Sequence, residues 1–214
     1  MHIVLSHFGS LLAGFRVTLE LTALGFVGAL ILGTILAVCR ISPITPLRVL
    51  GGIYVEIFRN IPLLALLILF IFGLPDVGLT YSFFVSTVIC LALSAAAFVC
   101  ESMRAGINAV SVGQAEAARA IGLHFSASLR FVILPQAFRL MVQPLVNVFI
   151  GVALSSSLAS AVGVSDLTNR TQLLNLQYAE ATASFLVGGA FYLALALLGG
   201  TVGGHLERRL AVRR

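Results

Sequence analysis

Long apolar runs, each ended by a short cluster of polar or helix-breaking residues, set the pattern of this 214-residue chain. A helix needs roughly 20 apolar residues to cross a hydrocarbon layer about 30 Å thick. Five runs reach that length: residues 9–38, 52–74, 80–103, 131–155 and 182–205. Within each run the apolar residues are continuous and do not alternate, which excludes the strands of a membrane barrel. The pattern predicts an all-α, polytopic membrane protein with five transmembrane helices, folded as one domain over residues 1–214.

The breaks between runs have their own chemistry. Residues 41–46 carry Pro43 and Pro46 and form a short connection, and residues 73–78, with Pro75 and Asp76, form a tight turn. Pro62 falls inside the second run and predicts a kink. The longest break, residues 106–135, contains a helix of its own. Ser111 and Gln114 have capping-box spacing, and Gly122 suits a helix end that needs a left-handed residue. The implied helix of about 10 residues is about 15 Å long, too short to be stable without a groove to dock in. Ala115, Ala117, Ala118 and Ala120 give it a shaved surface, and Glu116 sits in the first turn, where the helix dipole favours negative charge. Pro135 suits the first turn of the fourth span.

Composition sharpens this picture. The chain is 59% hydrophobic and 10% charged, with a mean hydropathy of +1.08, outside the soluble range. Its net charge of +5 does not indicate a nucleic-acid partner, because the arginines are dispersed between apolar runs and form no contiguous basic face. All 13 basic residues are arginine, so no phosphate-binding loop ending in Lys-Ser/Thr exists on this chain. Cys39, Cys90 and Cys100 lack metal or redox spacing and read as small core thiols. The four histidines form no metal pattern. The serine run 155–157 has no base at membrane depth, which argues against an intramembrane hydrolase. The first ten residues lack a basic region and a cleavage site, so the first span is expected to be retained.

Arginine placement predicts orientation. Arg40, Arg48 and Arg59 follow span one, Arg104, Arg119, Arg130 and Arg139 separate spans three and four, and Arg208, Arg209, Arg213 and Arg214 follow span five. Only Arg16 and Arg170 fall on the other side. The positive-inside rule then sets the N-terminus outside and the C-terminus and the long loop in the cytoplasm.

Charged and amide side chains within the spans are the candidates for a solute path. Arg16 and Glu20 are one turn apart and either snorkel as a pair or line a path. Gln143 and Asn147 share a face and are either interhelical glue or solute ligands. Ser155 opens the serine run. Glu56 and Arg59 are three apart and either pair at the interface or contact the solute, and Glu101 and Arg104 have the same spacing to pair. Gly199 with Gly203, and Gly200 with Gly204, form two offset small-residue pairs that let a neighbouring helix approach, inside this subunit or in a second one.

Several of these segments together resemble the permeases of polar-amino-acid ATP-binding-cassette importers. Gly113-Gln114-Ala115-Glu116-Ala117-Ala118, then Gly122, then Ile133-Leu134-Pro135, looks like their EAA loop. Tyr54-Val55-Glu56-Ile57-Phe58-Arg59-Asn60-Ile61-Pro62-Leu63-Leu64 and Glu101-Ser102-Met103-Arg104-Ala105-Gly106-Ile107 look like two further family segments. Arg40-x-Ser42-Pro43 and the Glu207-Arg208 tail are most similar to the actinobacterial glutamate-uptake branch. The resemblance implies a type I importer permease fold whose coupling helix seats Gly113, Glu116, Ala117, Ala118, Gly122 and Pro135 on an ATPase. It implies an ATPase dimer carrying ATP-Mg, with no cofactor on this chain, a second permease forming a heterodimer or homodimer, and an extracytoplasmic solute-binding protein. The segment 162–167 matches the family's outer segment, a contact for that binding protein. The setting implied is a bacterial cell membrane. The solute implied is glutamate, with glutamine, arginine, histidine or cystine as alternatives; a stand-alone channel is the remote one. Solute-path candidates are Arg16, Glu20, Gln143, Asn147 and Ser155. One departure stands out: the family usually has a lysine before its serine, where this chain reads Leu154-Ser155-Ser156-Ser157-Leu158.

Overall fold

The computed structural model describes residues 6–210, and among them all regular structure is helical. Helix α1 (Phe8–Ile41) buries Leu11, Gly14, Thr18, Leu21, Gly25, Ala29 and Gly33 along one stripe. The part of that stripe from Gly25 onward packs on α4 (Phe83–Asn108), and its start, Leu11 and Gly14, packs against Leu167. A Cβ added at Gly25 would lie 3.0 Å from Leu91, and one at Gly33 would lie 2.6 Å from Val99. Residue numbers rise together along the contact, so the two helices run parallel, and glycine is what lets them lie this close.

The second run departs from the expectation of a single span. Instead α2 (Thr45–Asn60) ends at Ile61, and the chain turns by 100° into α3 (Leu63–Ile68), continued by a wide turn over Leu69–Gly73 and a tight one over Leu74–Val77. Proline explains the break: it crowds the preceding residue out of the α region, and Ile61 sits at φ −77°, ψ 126°. Among the described residues four helical segments are long and apolar enough to cross a membrane uninterrupted, and the bent pair makes five if counted as one span. Helix α2 buries only Gly51 and Val55; its Tyr54 hydroxyl donates to the Leu93 carbonyl at 2.9 Å.

The fourth span is a longer rod than expected, running from Phe125 to Val162. It begins as α6 (Phe125–Ser128), widens over Leu129–Ile133, continues as α7 (Leu134–Ser155) and tightens over Ser156–Val162. Both wide turns among the described residues precede a Leu-Pro pair. The Leu74 amide reaches back five residues to the Leu69 carbonyl, and the Leu134 amide likewise to Leu129. Pro75 and Pro135 have no N–H to donate, and their rings crowd the carbonyl four residues earlier, which widens the turn.

Two elements complete the bundle: α8 (Leu167–Tyr178), which the hydrophobic pattern did not predict, and α9 (Ala181–Leu210). Helix α9 lies antiparallel on α7, with Gly199 beneath Phe149 and Gly203 beneath Val146. Gly200 and Gly204 have nothing within 4 Å of an added Cβ. The two small-residue pairs thus separate, one packing within the subunit and the other facing outward. Leu21, Leu67, Leu91 and Val99 form the centre of the core with Cys90, and Cys100 lies in a second cluster around Val55.

Candidate functional site

A cavity of about 500 Å³ opens between α4, α7 and the α2–α3 junction. Its polar lining comes from Arg59 at the junction, from Ser94, Glu101 and Ser102 on α4, and from Asn147 and Ser155 on α7. Ser94, Phe98 and Ser102 recur every four residues, so one face of α4 presents two hydroxyls and a ring. On α7, Pro144, Asn147, Gly151 and Ser155 form the corresponding face. The Arg59 guanidinium carbon lies 5.7 Å from the centre of the Phe98 ring. Arg59 makes no ion pair among the described residues. The spacing of Glu56 and Arg59 suggested that they pair, but the Glu56 carboxylate is instead approached by the Asn60 amide at 3.4 Å.

Glu101 and Arg104 do pair, at 3.3 Å, and Arg40 at the end of α1 donates to the same carboxylate. Two cations on one carboxylate tie α1 to α4 at the arginine-rich end of the bundle. Arg40 in turn packs over Gly51 of α2.

Of the other path candidates, Arg16 and Glu20 pair with each other at 2.8 Å, with side chains 82% and 41% exposed. Neither they nor Gln143 is on the cavity wall. Asn147 and Ser155 are. Ser94 and Ser102 were missed from the sequence, where two serines eight residues apart on one face of an apolar run were the available signal, and Arg59 was read there chiefly as a partner for Glu56 and only secondly as a solute contact.

At the arginine-rich end, α5 (Val112–Ala120) forms the short helix expected there. Ser111 occupies the N-cap position, but its side chain makes no capping bond. The Gln114 side chain is occupied elsewhere, accepting from the Gln136 amide of α7 at 3.3 Å. The C-terminal end matches expectation. Gly122 has φ +84°, with Gly122 N–H donating to Arg119 O at 2.9 Å and Leu123 N–H to Ala118 O at 3.0 Å, a Schellman closure. Ala118 is turned into the bundle, while Gly113, Glu116 and Ala117 are exposed. Large apolar residues surround them in the open: Val112 is 72% exposed, Ile121 78% and Phe125 81%. Pro135, also exposed, marks the end of the wide turn above this loop.

At the far end, Asp166 is fully buried and caps α8, accepting from the Asn169 N–H at 2.9 Å and the Tyr192 hydroxyl at 3.3 Å. Burial pushes its carboxyl up to about 6. Thr18 of α1 accepts from the Leu167 N–H at 3.2 Å, joining α1 to the same cap.

Residues 11–212 match the family model of binding-protein-dependent transport system inner membrane components. The chain is 36% identical to the probable glutamine ABC transporter permease protein GlnM of Bacillus subtilis, covering 97% of this chain and 96% of that one. It is 37% identical to the glutamate transport system permease protein GluC of Corynebacterium glutamicum, covering 96% of each. A crystal structure of an amino acid ABC transporter with histidines superposes with a TM-score of 0.91 at 31% identity over 96% of both chains. A methionine ABC transporter in an inward-facing conformation shares the fold at a TM-score of 0.72 and 24% identity, covering 99% of this chain and 98% of that one. With the helical membrane bundle and its cavity, these matches make the chain a member of the binding-protein-dependent transport system inner membrane component family, the multi-pass permease subunit of an amino-acid ABC importer whose ATP is hydrolysed by a separate subunit.

Proposed function

We propose that this permease carries glutamate, handed over by a binding protein, by alternating access within a pair of permeases seated on two ATPase subunits. Arg59 carries the substrate reading: its guanidinium lies on the cavity wall with no ion-pair partner among the described residues. A free guanidinium matches a carboxylate through a planar fork of donors. Ser94, Ser102, Asn147 and Ser155 provide neutral partners for the rest of a small polar solute. The likeness to a glutamate permease supports this choice, and the likeness to a glutamine permease supplies its competitor. The path so proposed runs past Asn147 and Ser155, with Arg16, Glu20 and Gln143 outside its wall.

The arginine-rich end is the cytoplasmic one in this reading, with the N-terminus outside, and α5 is the coupling helix. Its support is the exposed surface of Gly113, Glu116 and Ala117, rimmed by Val112, Ile121 and Phe125, with Ala118 anchoring the helix from beneath. Gly122 closes that helix and Pro135 ends the wide turn that joins it to α7. ATP-Mg is held by the ATPases, which on closing bias the permeases outward. The second permease is a different chain in this reading.

Uptake of labelled glutamate by the reconstituted complex tests the substrate. Glutamate is expected to outcompete glutamine and arginine, and equal competition by arginine defeats the reading.

A further inference from the structure

On the side of α7 away from the solute cavity, a second recess of about 500 Å³ runs between α1, α7 and α9. Its walls are wholly apolar or glycine, among them Phe26, Leu30, Val146, Phe149, Leu198 and Leu206. Along α9 it reaches from Leu195 to Leu206, about 17 Å at the helical rise, close to the depth of one membrane leaflet. It is therefore a slot of about leaflet length.

The polar end of this slot is positively charged. Gly199 faces Phe149 and Gly203 faces Val146, and Val142 and Leu206 both line the slot; one further turn of each helix toward the arginine-rich end is Arg139 on α7 and Arg209 on α9. Leu206 and Arg209 are three apart, as are Arg139 and Val142, so each arginine follows the slot wall on its own helix. Neither makes an ion pair among the described residues. Glu207 lies about 200° round α9 from Arg209, away from the slot. A cation on each wall at the same end of the slot, neither ion-paired among the described residues, suits an anion, and the apolar slot beneath them suits a hydrocarbon chain.

We propose that this slot binds an anionic phospholipid of the leaflet on the arginine-rich side, one acyl chain lying between α1, α7 and α9 and the phosphate held by Arg139 and Arg209. The lipid would thus rest on the opposite face of the helix that carries Asn147 and Ser155.

The test uses the full-length permease in mixed micelles, with phosphatidylglycerol and phosphatidylcholine of equal chain length and bound lipid counted by native mass spectrometry. Two arginines near an anionic headgroup predict a preference of about thirtyfold for phosphatidylglycerol. Arg139→Gln with Arg209→Gln is expected to abolish the preference, and the matching lysine pair to keep it. Leu198→Trp, which fills the slot and leaves both arginines, is expected to lower binding of both lipids. No preference in the unaltered protein overturns the proposal, as does a preference that survives both the glutamine pair and Leu198→Trp. Cross-linking of two permeases through Leu198→Cys in native membranes also overturns it, by showing that protein occupies the slot.

Discussion

Arg40 at the end of α1 donates to Glu101 on α4, and Glu101 also receives Arg104. The pair is mostly shielded, with side chains 18% and 33% exposed. Hydrogen bonds to charged groups contribute about 1.5–3 kcal/mol, so Glu101→Gln is expected to destabilise by about that amount in thermal unfolding. Arg40→Gln should cost a similar amount, and the double variant less than the two together, because both remove the same bond. Strict additivity would show that the pair contributes nothing to the fold.

Solute-stimulated ATP hydrolysis tests the coupling helix. Glu116→Lys is expected to stop the stimulation in the reconstituted complex while the permease still inserts. Gly122→Val forces a branched side chain into φ +84°, at a cost of roughly 1–2 kcal/mol, and is expected to do the same. Unchanged stimulation in both variants would remove α5 from the transmission path.

The two small-residue pairs of α9 give a paired comparison. A side chain at Gly203 would collide with Val146, whereas one at Gly200 meets open space. Gly203→Leu should destabilise the isolated permease by about 1–3 kcal/mol, an overpacking cost, and Gly200→Leu should not. Equal effects on melting would contradict the packing of α9 on α7.

Asp166 predicts a pH dependence. Its carboxyl titrates near 6 when folded, above the 3.8 of the exposed group. The folded state therefore holds the proton more tightly, and stability is expected to fall as pH rises from about 4 to about 6. Asp166→Asn should flatten that part of the curve, so the difference between the two melting profiles isolates this group. A stability difference that rises with pH over the same window would reverse the assignment.

How much of this was legible beforehand follows from what each feature depends on. The spans and α5 were legible because hydrophobic length, Gly122 and the alanine run act locally. Pro62 gave the position of a break but not its 100° angle, since the angle depends on how Gly51 and Val55 seat against Arg40 and α4. Helix α8 was missed because a short polar helix has no membrane-length signature, and its cap, Asp166, is informative only once burial by Tyr192 and α1 is known. The cavity needed Ser94 and Ser102 of one helix to be set against Asn147 and Ser155 of another, an arrangement that tertiary packing alone decides. The capping box at Ser111 and Gln114 did not close: the Gln114 N–H donates to the Ser111 backbone carbonyl at 3.0 Å, and the Gln114 side chain meets Gln136, distant in sequence.

The glycine seats along α1 also bear on how the molecule can move. With Gly25 and Gly33 pressed against Leu91 and Val99, a slide of one residue would drive backbone into side chain, so α1 and α4 behave as one stiff strut. In the alternating-access reading, opening and closing of the cavity would then be taken up by its other walls. Those walls carry the widened turns before Pro75 and Pro135, where the hydrogen-bond ladder is already re-spaced and bending disturbs it least. In that reading the permease would work as a fixed post with two hinged leaves, and one hinge adjoins the loop exposed at the arginine-rich end.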